Sequence, residues 1–326
     1  MIHKFVRMLA AAALAVATDA AQVPLPAHAQ EQPVRVIFPF AAGGSGDALA
    51  RHIAEGLRTA LDQPVIVENR TGAQGRLGVQ AVKAAAPDGK TLLLTPVAPM
   101  SVYGHVYKAL LYDPVADFEP VSQVATFDFA VAVGPQVPAT SLKELVAWVK
   151  ANPAQGNYGT PAAGTLPHFF AVSFGKAAGL DLRHVGYRGS AAALTDLMGG
   201  QIAIVFTTTS DLLEQHKSGR IKVLATSDKA RSPFLPDLPT FKEAGYDIEG
   251  SGWYGVYAPA RTPADVVAKL NKAVVAAVQS LPVKEKLLAF GLVPTGTSAA
   301  ELGRIQKADS DLWAPAVKAS GYTPEQ

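Results

Sequence analysis

The strongest constraint on the fold is a repeated alternation of strand, small-residue loop and helix. An apolar strand candidate at Val34–Phe38 leads through a turn of small residues into Asp47–Leu61, where leucine or isoleucine recurs at every fourth position. That spacing is typical of one buried helix face. Val65–Val67, Leu77–Ala86 and Thr91–Leu94 continue as strand, helix and strand. This β-α-β-α-β rhythm predicts an α/β domain built on an open parallel sheet.

The same rhythm occurs a second time between residues 141 and 226. Before it, the apolar, β-prone stretch Phe118–Gly134 is expected to leave the first domain, and Trp253–Ala258 is expected to return to it. A single hydrophobic core seldom grows beyond about 250–300 residues, and this chain has 326. We therefore predict one domain from residues 30–128 and 254–326, and another from 129–253. Two such crossings describe a hinge with a central ligand cleft.

The N-terminus has the pattern of a secretory signal peptide. Lys4 and Arg7 precede the apolar run Met8–Ala17, and Ala27-His28-Ala29 has the small-x-small pattern of a cleavage site. We expect residues 1–29 to be removed, with cleavage after Ala29. The alternative, an uncleaved membrane anchor, is disfavoured because the apolar run is too short to span a bilayer.

Composition excludes several classes of function. The chain has no cysteine, so disulfides, thiol catalysis, cysteine-ligated zinc and a lipidated cysteine are excluded, and the mature protein should be soluble. The net charge is +2 without a basic run, which argues against nucleic-acid and membrane-surface partners. The seven histidines form no His-x-x-x-His pair, and Gly72, Gly75 and Gly78 do not make a dinucleotide fingerprint. We expect no metal and no cofactor.

Three loops share one design, in which a strand ends, small residues follow and a helix begins. Small residues let a ligand approach the backbone, and the first N–H groups of a helix attract anions. In an open α/β sheet, ligands bind outside the carboxyl ends of the strands, where such loops lie. One such loop is usually an ordinary connection, but three in two domains indicate an anion site. The loops are Pro39–Asp47, Tyr158–Thr165 and Tyr187–Ser190.

Individual side chains have competing interpretations. Arg188 could pair with a carboxylate or be a solvated surface residue. His168 is more readily a hydrogen-bonded structural histidine than a ligand contact, and Asp47 should cap its helix rather than touch an anion. Arg70 is expected to brace the first loop. Trp253 could wall the cleft or pack in the core.

Many ordered motifs resemble the Bug family, the extracytoplasmic receptors of tripartite tricarboxylate transporters. The resemblance covers essentially the whole mature chain. Its motifs are Pro39–Asp47, Val67–Ala73, Ala86–Gly89, Tyr112–Pro114, Asp117–Val121, Tyr158–Thr160, Tyr187–Ser190, Leu235–Phe241 and Glu243–Gly245.

The resemblance implies a type II periplasmic-binding-protein fold, two-lobed and closing around a carboxylate. It also implies a small organic acid as ligand, membrane permease subunits as partners, a monomer, a periplasmic location and no catalysis. In the family, backbone amides and ordered waters of the first loop hold one carboxylate, and the second lobe contributes the rest. Carried over, the ligand-binding positions are Phe40, Ala41, Ala42, Gly43, Gly44, Asp47, Thr160, Gly164, Thr165, His168, Arg188, Gly189, Ser190 and Thr207.

Four positions near the expected cleft depart from the family pattern: Pro161, Ala162, Ala192 and Thr207. The identity of the acid therefore stays open among aliphatic diacids, citrate-like triacids, acidic amino acids and aromatic acids. Two other functions are weighed against transport. One is a carboxylate sensor that signals to a membrane partner. The other is a hydrolase using Ser45 or Ser190, which lacks a recognisable base and acid.

Overall fold

The computed structural model describes residues 32–323, so the predicted signal peptide, its cleavage site and the last three residues lie outside the described part. Its strands are β1 Val34–Phe38, β2 Val65–Asn69, β3 Thr91–Pro96, β4 Phe118–Val133, β5 Asn157–Thr160, β6 Arg183–Gly186, β7 Ile204–Thr208, β8 Lys222–Thr226, β9 Ser251–Pro259 and β10 Val293–Pro294. They join into one continuous, curled sheet in the order β2-β1-β3-β9-β4-β7-β5-β6, with β8 and β10 also paired to β4.

The long strand β4 belongs to both halves of this sheet. From Phe118 to Asp128 it pairs antiparallel with β9, and from Phe129 to Val133 it pairs with β7. Strands β1, β2 and β3 are parallel neighbours in the first half, which we call lobe 1. Strands β5, β6 and β7 are parallel in the second half, lobe 2. The expected two-lobed α/β fold is therefore confirmed, and the change of partners falls between residues 128 and 129.

The helices follow the predicted rhythm. The first is amphipathic and buries Leu49, Ile53 and Leu57, the apolar positions that its fourfold spacing indicated. No single helix among residues 32–323 is long and apolar enough to cross a membrane. The helix pair Ala264–Gln279 and Leu281–Ala289, bent by 64°, is long and apolar enough by length and composition alone. The helices are α1 Ser45–Leu61, α2 Arg76–Lys83, α3 Tyr103–Val106, α4 Leu142–Ala151, α5 Leu166–Ala178, α6 Ser190–Met198, α7 Thr209–Lys217, α8 Ala264–Gln279, α9 Leu281–Ala289 and α10 Ala299–Ser320.

One helical segment differs from the sequence analysis. The segment Ala98–Val106 was not anticipated, since Pro99 breaks the pattern; the proline lies in the first turn, where its missing N–H costs no hydrogen bond.

The start of α4 is capped on both sides. The hydroxyl of Ser141 accepts the backbone N–H of Glu144, and the Glu144 carboxylate accepts the N–H of Thr140 at 2.7 Å. The cap is thus one residue wider than a standard capping box, in which the glutamate accepts the N–H of the N-cap residue itself.

Asp128 is a buried acid at the point where β4 passes between the lobes. Its side chain is only 6% exposed. Within the described residues its Oδ2 has no hydrogen-bond partner, and neither have the hydroxyls of Thr209 and Ser232. Burial raises the pKa of the Asp128 carboxyl to about 6. At neutral pH the crossing therefore contains a poorly solvated negative charge.

Asp128→Asn is expected to stabilise the protein at pH 7.5 by about 2–3 kcal/mol and to give little gain at pH 4. The folded-state pKa lies above the unfolded one. The stability that the carboxyl contributes is therefore full below the unfolded pKa and lost as pH rises through about 6. Urea unfolding at both pH values measures the difference, with exposed Asp237→Asn as the matched control. An equal effect of Asp128→Asn at both pH values would contradict this account.

Candidate functional site

A small cavity of about 70 Å³ lies between the lobes, at the carboxyl ends of the parallel strands. Both lobes contribute to its wall, as the topology rule for open α/β sheets leads one to expect. All three small-residue loops reach it. The predicted site residues that line it are Phe40, Ala41, Gly44, Asp47, Thr165, Gly189 and Ser190.

The first loop connects β1 to α1 and is fixed by Asp47. Its carboxylate accepts the backbone N–H of Gly43 at 3.1 Å and hydrogen bonds from Arg51 and Asn69. Burial alone would raise the pKa of the Asp47 carboxyl, but these hydrogen bonds outweigh it and lower the pKa. Gly43 has a φ of +96°, which only glycine adopts readily. Asp47, in the first turn of α1, thus fixes the loop, and its carboxylate stays ionised.

Asn69, rather than Arg70, braces this loop. The Asn69 Nδ2 donates to the carbonyl of Phe40 at 3.1 Å and to Asp47 at 2.9 Å. The Arg70 side chain instead pairs with Glu68. The prediction that the arginine side chain supports the loop was wrong, because that side chain points to the acid on its own strand.

The two lobes contact each other directly across the cavity. The backbone N–H of Ser45, at the start of α1, donates to Asp211 Oδ1 of lobe 2 at 2.8 Å. The hydroxyl of Ser210 donates to that of Ser45 at 3.0 Å. The N–H of Ala41 donates to the carbonyl of Arg188 at 3.1 Å. In this structure the two lobes are therefore closed on each other.

Asp211 is a site residue that the sequence analysis missed. It also accepts the hydroxyl of Thr207 at 2.7 Å, and its own N–H is capped by Thr208. Its carboxylate occupies the positive end of α1, where a helix dipole favours an anion. In the sequence, Thr208-Thr209-Ser210-Asp211 is an ordinary capping pattern. That pattern does not predict that the Asp211 carboxylate reaches the opposite lobe.

The second loop places most of its predicted residues behind the cavity wall. The hydroxyl of Thr160 is hydrogen-bonded to His184 Nε2 at 2.7 Å, and the N–H of Gly164 donates to His168 Nδ1 at 3.1 Å. The two imidazole rings stack with centroids 4.1 Å apart. Burial lowers the pKa of His168 to about 3 and that of His184 to about 4. The structural interpretation of His168 fits these contacts. Of the ligand-binding residues predicted in this loop, Thr165 lines the cavity, and so does Pro161, one of the positions that depart from the family pattern.

The remaining predicted residues lie around the cavity rather than in it. Arg188 is exposed and borders a neighbouring depression of about 340 Å³, which shares Phe40 with the cavity. Ala42 and Gly43 are exposed, and Thr207 is fully buried. None of these four residues lines the cavity itself.

Aromatic rings form the other side of the cavity. Phe38, Phe127, Phe129 and Tyr254 line it together with Phe40. Residues 127 and 129 face the same way because side chains alternate along a strand. The indole of Trp253, in contrast, donates to Asp309 at 2.6 Å and packs in the core. Among residues 32–323, no group of three or more histidine, aspartate or glutamate side chains could hold a metal ion.

Comparison with known proteins gives consistent matches. A family model described as the tripartite tricarboxylate transporter family receptor matches residues 49–322. The periplasmic binding protein BugD is 33% identical, with a TM-score of 0.85 over 90% of this chain and 99% of its own. Rpa4515 of R. palustris, solved with adipate, is 31% identical, with a TM-score of 0.86 over 90% and 98%. MatC of Rhodopseudomonas palustris, solved with bound malate, is 28% identical, with a TM-score of 0.83 over 87% and 98%.

Proposed function

Since this chain belongs to the receptor family of the tripartite tricarboxylate transporters, we propose that it is a periplasmic receptor that captures a small carboxylate. The observation that carries the proposal is the cavity enclosed between the start of α1 and the loops of lobe 2. Similar proteins with adipate and with malate bound support the ligand class. Closure around the acid would present a surface of both lobes to the membrane transporter.

The ligand contacts follow from the positions of the predicted residues. In the closed form, the cavity-lining residues of the three loops would touch the acid, except Asp47, whose ionised carboxylate would hold the first loop in place. Ala42, Gly43 and Arg188 would act at the mouth while the lobes are open, and Thr160, Gly164, His168 and Thr207 would support the loops from behind. This division is supported by which side chains reach the cavity and which are bonded within the wall.

We further propose binding without chemical change. The hydroxyl of Ser45 has hydroxyl groups as neighbours, from Thr208 and Ser210, rather than a base. His168 is bonded to the N–H of Gly164 and so is not available to activate a nucleophile. A bound acid recovered unchanged after prolonged incubation would support this, and a new product would overturn it.

Other parts of the proposal concern export and assembly. We propose that residues 1–29 are a signal peptide cut after Ala29, that 30–128 with 254–326 and 129–253 are the two domains, and that the mature protein acts as a monomer on permease subunits. The exchange of strand partners after residue 128 supports the domain limits. Intact mass of the exported protein tests the cleavage site, and light scattering tests the monomer.

Calorimetry with a panel of mono-, di- and tricarboxylates should give at least one acid with a Kd in the micromolar range or below. Such binding requires about 8 kcal/mol, which a few charge-assisted hydrogen bonds of about 1.5–3 kcal/mol each can supply. The corresponding primary amides, which lack the charge, are the matched controls and should bind at least tenfold more weakly. Failure of every acid in a broad panel would refute the proposed function.

A further inference from the structure

The cavity between the lobes has acidic groups in its wall. Asp47 and Asp211 both line it, and no described residue that lines it is a lysine, arginine or histidine. The two acids differ in their partners. Arg51 donates to both oxygens of Asp47, so that charge is balanced within lobe 1. Within the described part of the chain, the donors to Asp211 are the N–H of Ser45 and the hydroxyl of Thr207, which are both neutral. The Asp211 carboxylate therefore leaves the cavity wall with a negative charge.

This carboxylate can still accept hydrogen bonds from a ligand. Its two oxygens offer about four acceptor positions. The N–H of Ser45 takes one position on Oδ1 at 2.8 Å, and the hydroxyl of Thr207 takes one on Oδ2 at 2.7 Å. The Asp211 side chain is half-buried, so water screens its charge only in part. A cationic donor gains more from such an acceptor than a neutral donor does.

Aromatic rings lie on the apolar side of the same cavity. The ring centroids of Phe127 and Tyr254 are 4.7 Å apart, those of Phe127 and Phe129 are 5.3 Å apart, and all three residues are buried. Burial, and next the nearby Asp211 carboxylate, raise the pKa of Tyr254, so its phenol stays neutral. The face of an aromatic ring attracts a cation within about 6 Å of its centre, most strongly where water is excluded. The rings and the Asp211 carboxylate thus favour the same partner, a cationic group.

A donor for a carboxylate lies next to this acceptor. Ser190 lines the cavity and is 8% exposed, and among residues 32–323 its hydroxyl has no hydrogen-bond partner. A Cβ at Gly44 would overlap that hydroxyl and lie 3.4 Å from Asp211 Oδ1. The hydroxyl and the Asp211 carboxylate are therefore neighbours beside Gly44. An acceptor for an ammonium and a donor for a carboxylate side by side match an α-amino acid, in which one carbon joins the two groups.

From these contacts we propose that the receptor binds a small neutral α-amino acid. The proposal rests on the proposed function and narrows its class of carboxylates. The ammonium donates to Asp211 beside the rings, and the carboxylate accepts from Ser190 at the start of α6. The side chain of the ligand is short, because this cavity measures about 70 Å³ and one that holds benzene measures about 150 Å³. It is uncharged, because no described residue of the cavity wall is cationic.

A series of acids of equal size tests the proposal on the full mature protein by calorimetry. Alanine, lactate and propionate carry an ammonium, a hydroxyl or a hydrogen on the same carbon. We expect alanine to bind at least about tenfold more tightly than the other two, since only its ammonium neutralises Asp211. Aspartate and leucine should also bind at least about tenfold more weakly than alanine. The second carboxylate of aspartate finds no cation, and the side chain of leucine is too long for the cavity.

The outcomes separate this inference from the proposed function. If an acid without an ammonium, or aspartate or leucine, binds as tightly as alanine, the inference is overturned and the proposed function stands. If no carboxylate binds, amino acids included, both are overturned.

Asp211→Asn tests the residue itself, because it removes the charge at nearly unchanged size. It should reduce the preference for alanine over propionate from at least about tenfold to about twofold or less. The ratio of the two affinities is the readout, since any effect on lobe closure through Ser45 changes both ligands alike. Glu214→Gln is the matched control, because it removes the same charge from an exposed position of α7 that does not line the cavity. An undiminished preference in Asp211→Asn, or an equal loss in Glu214→Gln, would rule out Asp211 as the partner of the ammonium.

Discussion

Gly44→Val is expected to weaken carboxylate binding by at least about 100-fold while leaving the fold intact. Gly44 has a φ of −90° and a ψ of 172°, an extended conformation that any residue adopts. A Cβ at this position would overlap the Ser190 hydroxyl of lobe 2 and lie 3.4 Å from Asp211 Oδ1. The added methyl groups would therefore hold the lobes apart. Calorimetry measures the affinity, and thermal unfolding measures the fold.

The matched control is Gly104→Val, because a Cβ at Gly104 meets nothing within 4 Å. It should bind the acid with unchanged affinity. A Gly44→Val protein that binds as tightly as the original would show that the ligand does not require closure at this loop. A variant that unfolds at a much lower temperature would instead place the clash within lobe 1, since only contacts inside one lobe persist when the cleft opens.

The second large effect concerns acid stability. Between pH 7 and pH 4, the titration of the stacked pair His168 and His184 should lower the unfolding free energy by on the order of 5 kcal/mol. Burial lowers the pKa of His168 to about 3, with a contribution from His184, whose own pKa burial lowers to about 4. The folded pKa values lie below the ordinary value of 6.5. Stability is therefore full above pH 6.5 and is lost as pH falls towards the folded pKa values.

The double variant His168→Asn with His184→Gln tests this prediction. The two amides can keep the hydrogen bonds to Gly164 and Thr160 but cannot titrate. Its unfolding free energy should be lower at pH 7.5, because the ring stacking is lost, and should fall much less between pH 6.5 and 4. Urea unfolding over that range gives the slope, with exposed His105→Gln as control. An unchanged slope in the double variant would show that carboxylates alone cause the acid loss.

The hydrogen bonds between the two lobes change the expected way in which the protein holds an acid. The sequence analysis assigned the carboxylate to the amides at the start of α1. In the structure the N–H of Ser45 is occupied by Asp211 from the other lobe. A ligand carboxylate must either lie beside this pair, near Ser190, or displace it as the lobes open. Two adjacent carboxylates repel, so we propose that neighbouring amides and hydroxyls, rather than Ser45 alone, would balance the ligand's charge.

Local patterns predicted most of the regular structure because burial imposes a period on the sequence. The strand Val34–Phe38 was predicted with the bounds that the structure gives, and the helix after it with its buried face. The resemblance to the Bug family is confirmed by the match of the family model. The convergence of the three loops followed from topology, since the carboxyl ends of parallel strands share one edge of the sheet.

The errors and omissions at the site are of one kind. Arg70 and Asn69 are adjacent residues that can both donate hydrogen bonds, and the direction of each side chain decides which one supports the first loop. Asp211 has a helix-capping pattern, and its bond to Ser45 depends on the angle between the lobes. In neither case does the local sequence determine the distance between the two groups that form the hydrogen bond.

The sequence by itself thus determined the alternation of strands and helices, the two-lobed α/β fold, the family and the loops that meet at the cleft. These follow from periodicity, turn residues and strand order, which are properties of neighbouring residues. Only the tertiary structure decided which loop residues face the cavity, that Asp211 occupies the start of α1, and that aromatic rings from β1, β4 and β9 line the cavity. Those features join side chains far apart in the chain, and their distances are set by how the two lobes pack.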